Sequence, residues 1–312
     1  MTRGTRDVEK NTVKRMKTKI LQILAVVCFV TLALGTSLRA SIVTPIYAVA
    51  RLSYAEGPPF SGYQFGVFDL GSPTGSPGSY QYAWTSLGSA SSEPLANLAL
   101  NPVTSQMYVQ YFFNEYRTVS TSGVVGGSSL GAMDTLFGMS FDNSGNLYGA
   151  YSTDWYTLDS STGSTTSTAP VVNSLYSQFG GGLAYASDGN FYFASSYPSS
   201  LYRITAGGTD TPVGDFAGTN YDENGWNTLF SSGVNSYLLN ENRLYQVNLS
   251  DASLSLMGTI TGLPTEFSSG FSGAVGLASS PAAVPEPGTW AAAALLAGGA
   301  GFMRWRKRAK VS

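Results

Sequence analysis

A strand–turn–strand motif recurs four times in this chain, and an internal repeat limits the fold more tightly than any single residue does. An apolar run, a polar turn and an apolar-aromatic run make up Leu98–Val109, Met139–Gly149, Leu183–Phe193 and, in degenerate form, Leu229–Leu239. Tyr108, Tyr148, Tyr192 and Leu238 hold the same place in the motif, at spacings of 40, 44 and 46 residues. Each copy runs on into a third segment: Tyr116–Val119, Trp155–Leu158, Leu201–Ile204 and Leu244–Val247. A fourth follows, as in Thr211–Phe216 and Leu254–Ile260. Four short strands per 40–46 residues is the size of a β-propeller blade.

The punctuation agrees. The turns Asp142-Asn143-Ser144-Gly145-Asn146 and Ser187-Asp188-Gly189-Asn190 suit the hairpin between the first two strands, because Asp and Asn bond back to the backbone and Gly accepts positive φ. The lead-in Phe179-Gly180-Gly181-Gly182-Leu183 suits an innermost strand, where backbones crowd a central channel. A fifth unit is split between the ends. Ile46–Leu52, Tyr63–Leu70 and Tyr80–Thr85 supply three strands without an inner one, and Gly270–Ser279 supplies an inner one with nothing after it. Pairing them would close the ring and remove its free edges. The expected fold is therefore all-β, a propeller of five four-stranded blades with a split closing blade. A jelly roll or other β-sandwich is the rival architecture.

Charge separates this body from its two ends. The 312 residues carry a net charge of −2, but residues 41–284 hold 16 carboxylates against four arginines and no lysine, a balance of −12. Such a body repels phosphate backbones, so nucleic acid is excluded as a partner. The chain has no His and one Cys, Cys28, which is an apolar filler in a hydrophobic run. Ser-His-Asp and Cys-His catalysis, His-ligated metals, thiolate zinc and internal disulfides are all ruled out.

Residues 1–40 read as a signal peptide, with the true start at Met1 or Met16. A basic Met16-Lys17-Thr18-Lys19, an apolar run from Ile20 to Leu34 and a small residue at the exit place cleavage after Ala40. The body, 41–280, is followed by a Pro-rich segment at 281–289, a short apolar helix at 290–303 and a basic cytoplasmic tail at 304–312. Arg304, Arg306, Lys307 and Arg308 form the stop-transfer cluster and set its orientation by the positive-inside rule. Fourteen residues of helix reach about 21 Å against a hydrocarbon core of about 30 Å, which suits a transient sorting element.

The order Val284-Pro285-Glu286-Pro287, apolar helix and basic tail resembles the PEP-CTERM sorting signal of Gram-negative bacteria. That resemblance implies processing by an exosortase after signal peptidase has acted. It also implies a passing inner-membrane intermediate and delivery to the outer surface or matrix, often beside extracellular polysaccharide. The Asp/Ser-x-Gly-Asn-apolar-Tyr turn is similar to turns in NHL-like and gluconolactonase-like propellers. The latter bind a divalent ion through carboxylates and Asn at the channel mouth, and no matching ligand set maps onto this sequence.

No nucleotide loop or nucleophile motif is present, so no catalytic residue, metal ligand or cofactor is assigned. The first functional expectation is a non-enzymatic binding or structural module at the cell surface, with a glycan or exopolysaccharide as partner. The alternative is a carboxylate- and calcium-dependent carbohydrate-active or lactonase-like enzyme. It would draw on Asp142, Asn143, Ser144 and Asn146, or on the acidic Asp222-Glu223-Asn224 loop, as oxygen ligands. Tyr111, Phe112, Phe113 and Trp155 are candidates for a sugar-stacking surface, against packing between blades. A third reading makes the Ser/Thr-rich stretch Ser160–Thr168 a site of O-glycosylation.

Overall fold

The computed structural model describes residues 45–52, 62–111, 114–175, 182–196, 198–223 and 227–276. The expected signal peptide with its cleavage after Ala40, the Val284–Pro287 motif, the apolar helix at 290–303 and the Arg304, Arg306, Lys307, Arg308 cluster lie outside them. Five sheets make up the described residues. Blade 1 is built from both ends of the body: Phe267–Gly276 is innermost, followed by Pro45–Leu52, Gly62–Asp69 and Thr85–Ser86. Blade 2 runs outward as Leu95–Leu100, Met107–Tyr111, Glu115–Val119 and Gly131–Ala132. Blade 3 contains Gly138–Phe141, Leu147–Leu158 and Thr165–Leu175. Blade 4 contains Leu183–Tyr185, Phe191–Ala194, Ser200–Ile204 and Asp210–Asp215. Blade 5 contains Asn227–Ser232, Asn235–Asn240, Arg243–Val247 and Leu254–Thr261, with Tyr80–Ala83 added at its edge.

The innermost strands touch in a closed circuit. Phe267–Gly276 meets Leu95–Leu100, which meets Gly138–Phe141, then Leu183–Tyr185, then Asn227–Ser232, which returns to Phe267–Gly276. The molecule is a five-bladed β-propeller whose closing blade is split between the chain ends, as the repeat implies.

Five hydrophobic clusters fill the five junctions, each drawn from two adjacent blades. Successive residues of one strand therefore serve different junctions. Ala48 and Ala50 pack toward blade 5, and Val49 between them packs toward blade 2. Both faces of a blade are buried, which is why its inner strands read as nearly continuous apolar runs rather than alternating ones. Backbones approach closely enough around the axis that a Cβ at Gly273 would lie 2.5 Å from the amide nitrogen of Leu98.

Two strands depart from the sequence expectation. Tyr80–Thr85 reads as the third strand of blade 1. Instead, Tyr80–Ala83 pairs in parallel with residues Gly258 to Thr261 of blade 5, leaving Thr85–Ser86 as the short outer strand of blade 1. Burial explains the choice: Tyr82 and Trp84 are buried in the blade 5–blade 1 junction with Phe230, Ile260 and Phe271. In blade 3 the second and third strands are continuous, Leu147–Leu158. This segment reverses direction at Ser152, whose φ is 54°. The rings of Tyr148 and Trp155 then stack with centroids 5.6 Å apart, where seven straight strand steps would separate them by roughly 23 Å.

A second device recurs around the ring. The turn joining the two outer strands of a blade rests on the blade before it. Tyr116 of blade 2 donates its hydroxyl proton to Ser160 O of blade 3 at 3.3 Å. Trp155 of blade 3 donates Nε1–H to Ala206 O of blade 4 at 3.1 Å. Leu254 of blade 5 donates its amide to Ala217 O, just past the last strand of blade 4, at 2.9 Å. The parallel addition of Tyr80–Ala83 to blade 5 is the enlarged version of this clasp.

Truncating Trp155→Ala should cost about 3–5 kcal/mol of folding stability, since it empties the centre of the blade 3–blade 4 junction. Gly273→Ala should cost about 1–3 kcal/mol through overpacking at the axis. Denaturant midpoints at unchanged slope read both losses; an unchanged midpoint for Trp155→Ala would place the indole at the surface.

Candidate functional site

The five innermost strands leave an axial cavity of about 220 Å³ at the end where they finish. Every blade contributes: Leu98–Leu100, Met139–Phe141, Leu183–Tyr185, Phe230 and Ser231, and Ala274–Gly276. Pro102, Ser105, Asn143 and Gly233 reach it from the turns that follow. None of the described lining residues is Asp, Glu, Lys or Arg. Its polar groups are three hydroxyls of Ser105, Ser140 and Ser231, the Asn143 amide and the Tyr185 phenol.

Some of these polar groups are already engaged. The Ser140 hydroxyl accepts from the Tyr185 backbone amide at 3.2 Å, joining the inner strands of blades 3 and 4. Ser231 and Ser236 share a hydrogen bond of 3.0 Å. The side chains of Ser105, Asn143 and Tyr185 make no hydrogen bond to another described residue. Asn143 and Ser105 are exposed, and Tyr185 is half-buried.

The turns around this mouth are held by Asn and Asp side chains, as the repeat suggests. Asn101 Oδ1 accepts from the Val103 and Thr104 amides at 2.9 and 3.2 Å. Asp142 Oδ1 accepts from the Ser144 and Asn146 amides at 2.9 Å each, and its Oδ2 takes Asn146 Nδ2 at 2.8 Å. Asp188 accepts from the Asn190 amide at 3.1 Å and the Tyr192 hydroxyl at 2.8 Å. Both carboxylate oxygens of Asp142 thus hold a hairpin turn. Among the described residues no group of three or more His, Cys, Asp or Glu is placed to hold a metal. In the Asp222–Glu223 loop the Asp222 amide donates to Asn240 Oδ1 at 3.1 Å, and Ser199 donates to Glu223 O at 2.8 Å. Asn224 lies outside the described residues.

The sugar-stacking candidates separate. Trp155 is 1% exposed, wedged between Tyr148 and Phe191, so it belongs to a junction and not to a surface platform. Its tight turn at Ser152 draws it inward. Tyr111 is half-buried, with the Arg117 guanidinium 4.0 Å over its ring. Phe112 and Phe113 lie outside the described residues. Thr165, Thr166, Ser167 and Thr168 are exposed residues of the outer strand of blade 3, and Ser164 is exposed just before it.

Two buried amide networks escape a reading by motif. Asn97, fully buried with φ 51°, donates to Gln110 Oε1 at 2.7 Å and to Leu136 O of blade 3 at 2.8 Å. Asn227 donates to Ser195 O of blade 4 at 3.3 Å and accepts from Asn240 at 3.1 Å. The available signal is an amide inside an apolar strand, as in Leu95-Ala96-Asn97-Leu98, since a buried amide needs partners.

Titration follows from the same contacts. Burial pushes Asp210 up, but amide donors from Val172 and Asn173 and the Asn173 side chain outweigh it and hold the carboxyl below 3.8. Asp188 behaves alike, with burial overcome by Asn190 and Tyr192. Burial pushes Tyr82, Tyr192 and Tyr245 up to about 12; the bond to Asp188 adds to this for Tyr192.

No family model and no curated protein matches the chain. It is similar to several solved structures. A virginiamycin B lyase from Staphylococcus aureus, in a catalytically inactive form with quinupristin, shares 10% identity over 64% of this chain at a TM-score of 0.36. This chain spans 66% of that lyase's length. A streptogramin B lyase shares 12% identity over 72% of this chain and 76% of its own, with a TM-score of 0.37. A chain of a nidogen/laminin complex shares 10% identity over 75% of this chain and 97% of its own, with a TM-score of 0.43. The propeller assignment stands on the five sheets and their closed circuit.

Stability should be flat from about pH 5 to 9, because residues 41–284 contain no His or Cys, the side chains that titrate there. Below that window the unfolded chain takes up protons near 3.8 while Asp188 and Asp210 resist. Their contribution is full above 3.8 and is lost as pH falls through their folded values. At the alkaline end the raised tyrosines contribute stability below their ordinary 10.0 that is lost toward about 12. Urea midpoints across pH check this; Asp210→Asn should lower the neutral plateau and flatten the acid limb. An acid limb as steep as the parent's would remove Asp210 from the account.

Proposed function

We propose that this protein is exported and sorted to the cell surface, where it is a non-catalytic binding or structural module of the envelope or extracellular matrix. The observation that carries the reading is the tripartite C-terminal sequence: Val284-Pro285-Glu286-Pro287, an apolar stretch, then Arg304, Arg306, Lys307 and Arg308. The basic and apolar segments before Ala40 support it from the other end. Signal peptidase and an exosortase are the processing partners, and the inner membrane is a way station. Glu286 is flanked by Pro285 and Pro287 in that motif.

A binding role is favoured over a catalytic one by the chemistry of the channel mouth. Hydrolysis by a carboxylate pair requires a general acid and a base or nucleophile aimed at one bond. The mouth offers hydroxyls, an amide and a phenol instead. These groups orient and hold a ligand, and the acidic body around them keeps polyanions away.

Replacing both Glu286→Ala and Pro287→Ala should leave the precursor in the inner membrane, visible on fractionation as a larger species than the surface form. Unaltered size and surface delivery of that variant would overturn the sorting reading.

A further inference from the structure

We propose that the channel mouth binds a neutral, hydroxyl-rich ligand about the size of one sugar residue, such as the uncharged end of a polysaccharide. This rests on the reading of the body as a binding module and names its site and ligand class. At about 220 Å³ the cavity falls below the range of about 300–1,000 Å³ that receives drug-sized ligands. Three blades present polar side chains that make no hydrogen bond to another described residue: Ser105 from blade 2, Asn143 from blade 3 and Tyr185 from blade 4. An amide has two donor hydrogens and an acceptor oxygen, and each hydroxyl both donates and accepts. That mixture matches a ligand whose own groups donate and accept in turn, which describes vicinal hydroxyls. A carboxylate or phosphate only accepts, an ammonium only donates, and the described lining supplies no opposite charge for any of them.

The walls complete the match. Half-buried Leu100 and Val275 add apolar surface to the lining. Residues 41–284 carry −12, so an anionic sugar meets a repulsive field before it reaches the mouth. Ser105 and Asn143 sit on turns fixed by Asn101 and Asp142, and Tyr185 ends an inner strand, so little ordering is required on binding.

The test uses the full chain in a detergent without a sugar headgroup, titrated by calorimetry and ligand-detected NMR. The probes are methyl glucoside, methyl galactoside and methyl mannoside, with glucuronate as the anionic counterpart. At least one neutral glycoside should bind saturably, and glucuronate should bind at least tenfold more weakly at low ionic strength, where surface charge is least screened. Asn143→Ala and Tyr185→Phe should each weaken binding by about tenfold, as loss of a ligand hydrogen bond does. Their unfolding midpoints should stay at the parent value, and Thr166→Ala on the outer strand of blade 3 should change nothing. Absence of saturable binding by every neutral glycoside, equal or tighter binding of glucuronate, or full affinity in both mouth variants would each overturn the assignment. Surface delivery that still depends on Glu286 and Pro287 would in those cases leave the sorting reading intact, so the two failures are told apart.

Discussion

The antiparallel pairing of Phe267–Gly276 with Pro45–Leu52 holds the ring shut, and each other junction depends on it. Ile46 lies opposite Gly276 and Tyr47 opposite Val275, so the two ends of the body are joined residue by residue. Closing a loop of that length costs on the order of 5 kcal/mol in chain entropy. Apolar clusters on both flanks of the closing blade offset it. Two short bonds add direction: Thr228 Oγ1 donates to Phe271 O at 2.6 Å, and Ser272 Oγ donates to Leu95 O at 2.6 Å. With the seam closed, each blade is buried on both faces and each outer turn has a neighbour to rest on.

The same closure shapes the channel mouth. Five inner strands converge on one axis, so the residues there are small, apolar or hydroxylic, and the space left between them is modest. Asp142 and Asp188 lie in the turns at this end, where they bond to their own backbones. Buried amides find partners within and between blades, as Asn97 does in Gln110 and Leu136. The polar side chains there that make no hydrogen bond to another described residue are neutral.

Much of the fold was legible because the repeat carries its own register. The tyrosines at 108, 148 and 192 and Leu238 mark the second strand of four blades, and the observed strands begin and end within a few residues of the motif. Two features were not. The run Tyr80–Thr85 has the composition of a strand in either blade 1 or blade 5, and only the burial of Tyr82 and Trp84 beside Phe230 selects blade 5. For Trp155 the sequence leaves a stacking surface and packing between blades both open, and the reversal at Ser152 carries it under Tyr148 into a junction. A positive φ at a serine has no compositional mark.

The sequence by itself determined the blade count and the split closure, because periodicity is a property of the chain read in line. The channel mouth was decided only by tertiary structure. Ser105, Asn143 and Tyr185 belong to three different repeats, and none stands out locally from the serines, asparagines and tyrosines around it. They become neighbours because the closed ring turns the ends of five inner strands toward one axis, and that convergence depends on the seam between residues 45 and 276.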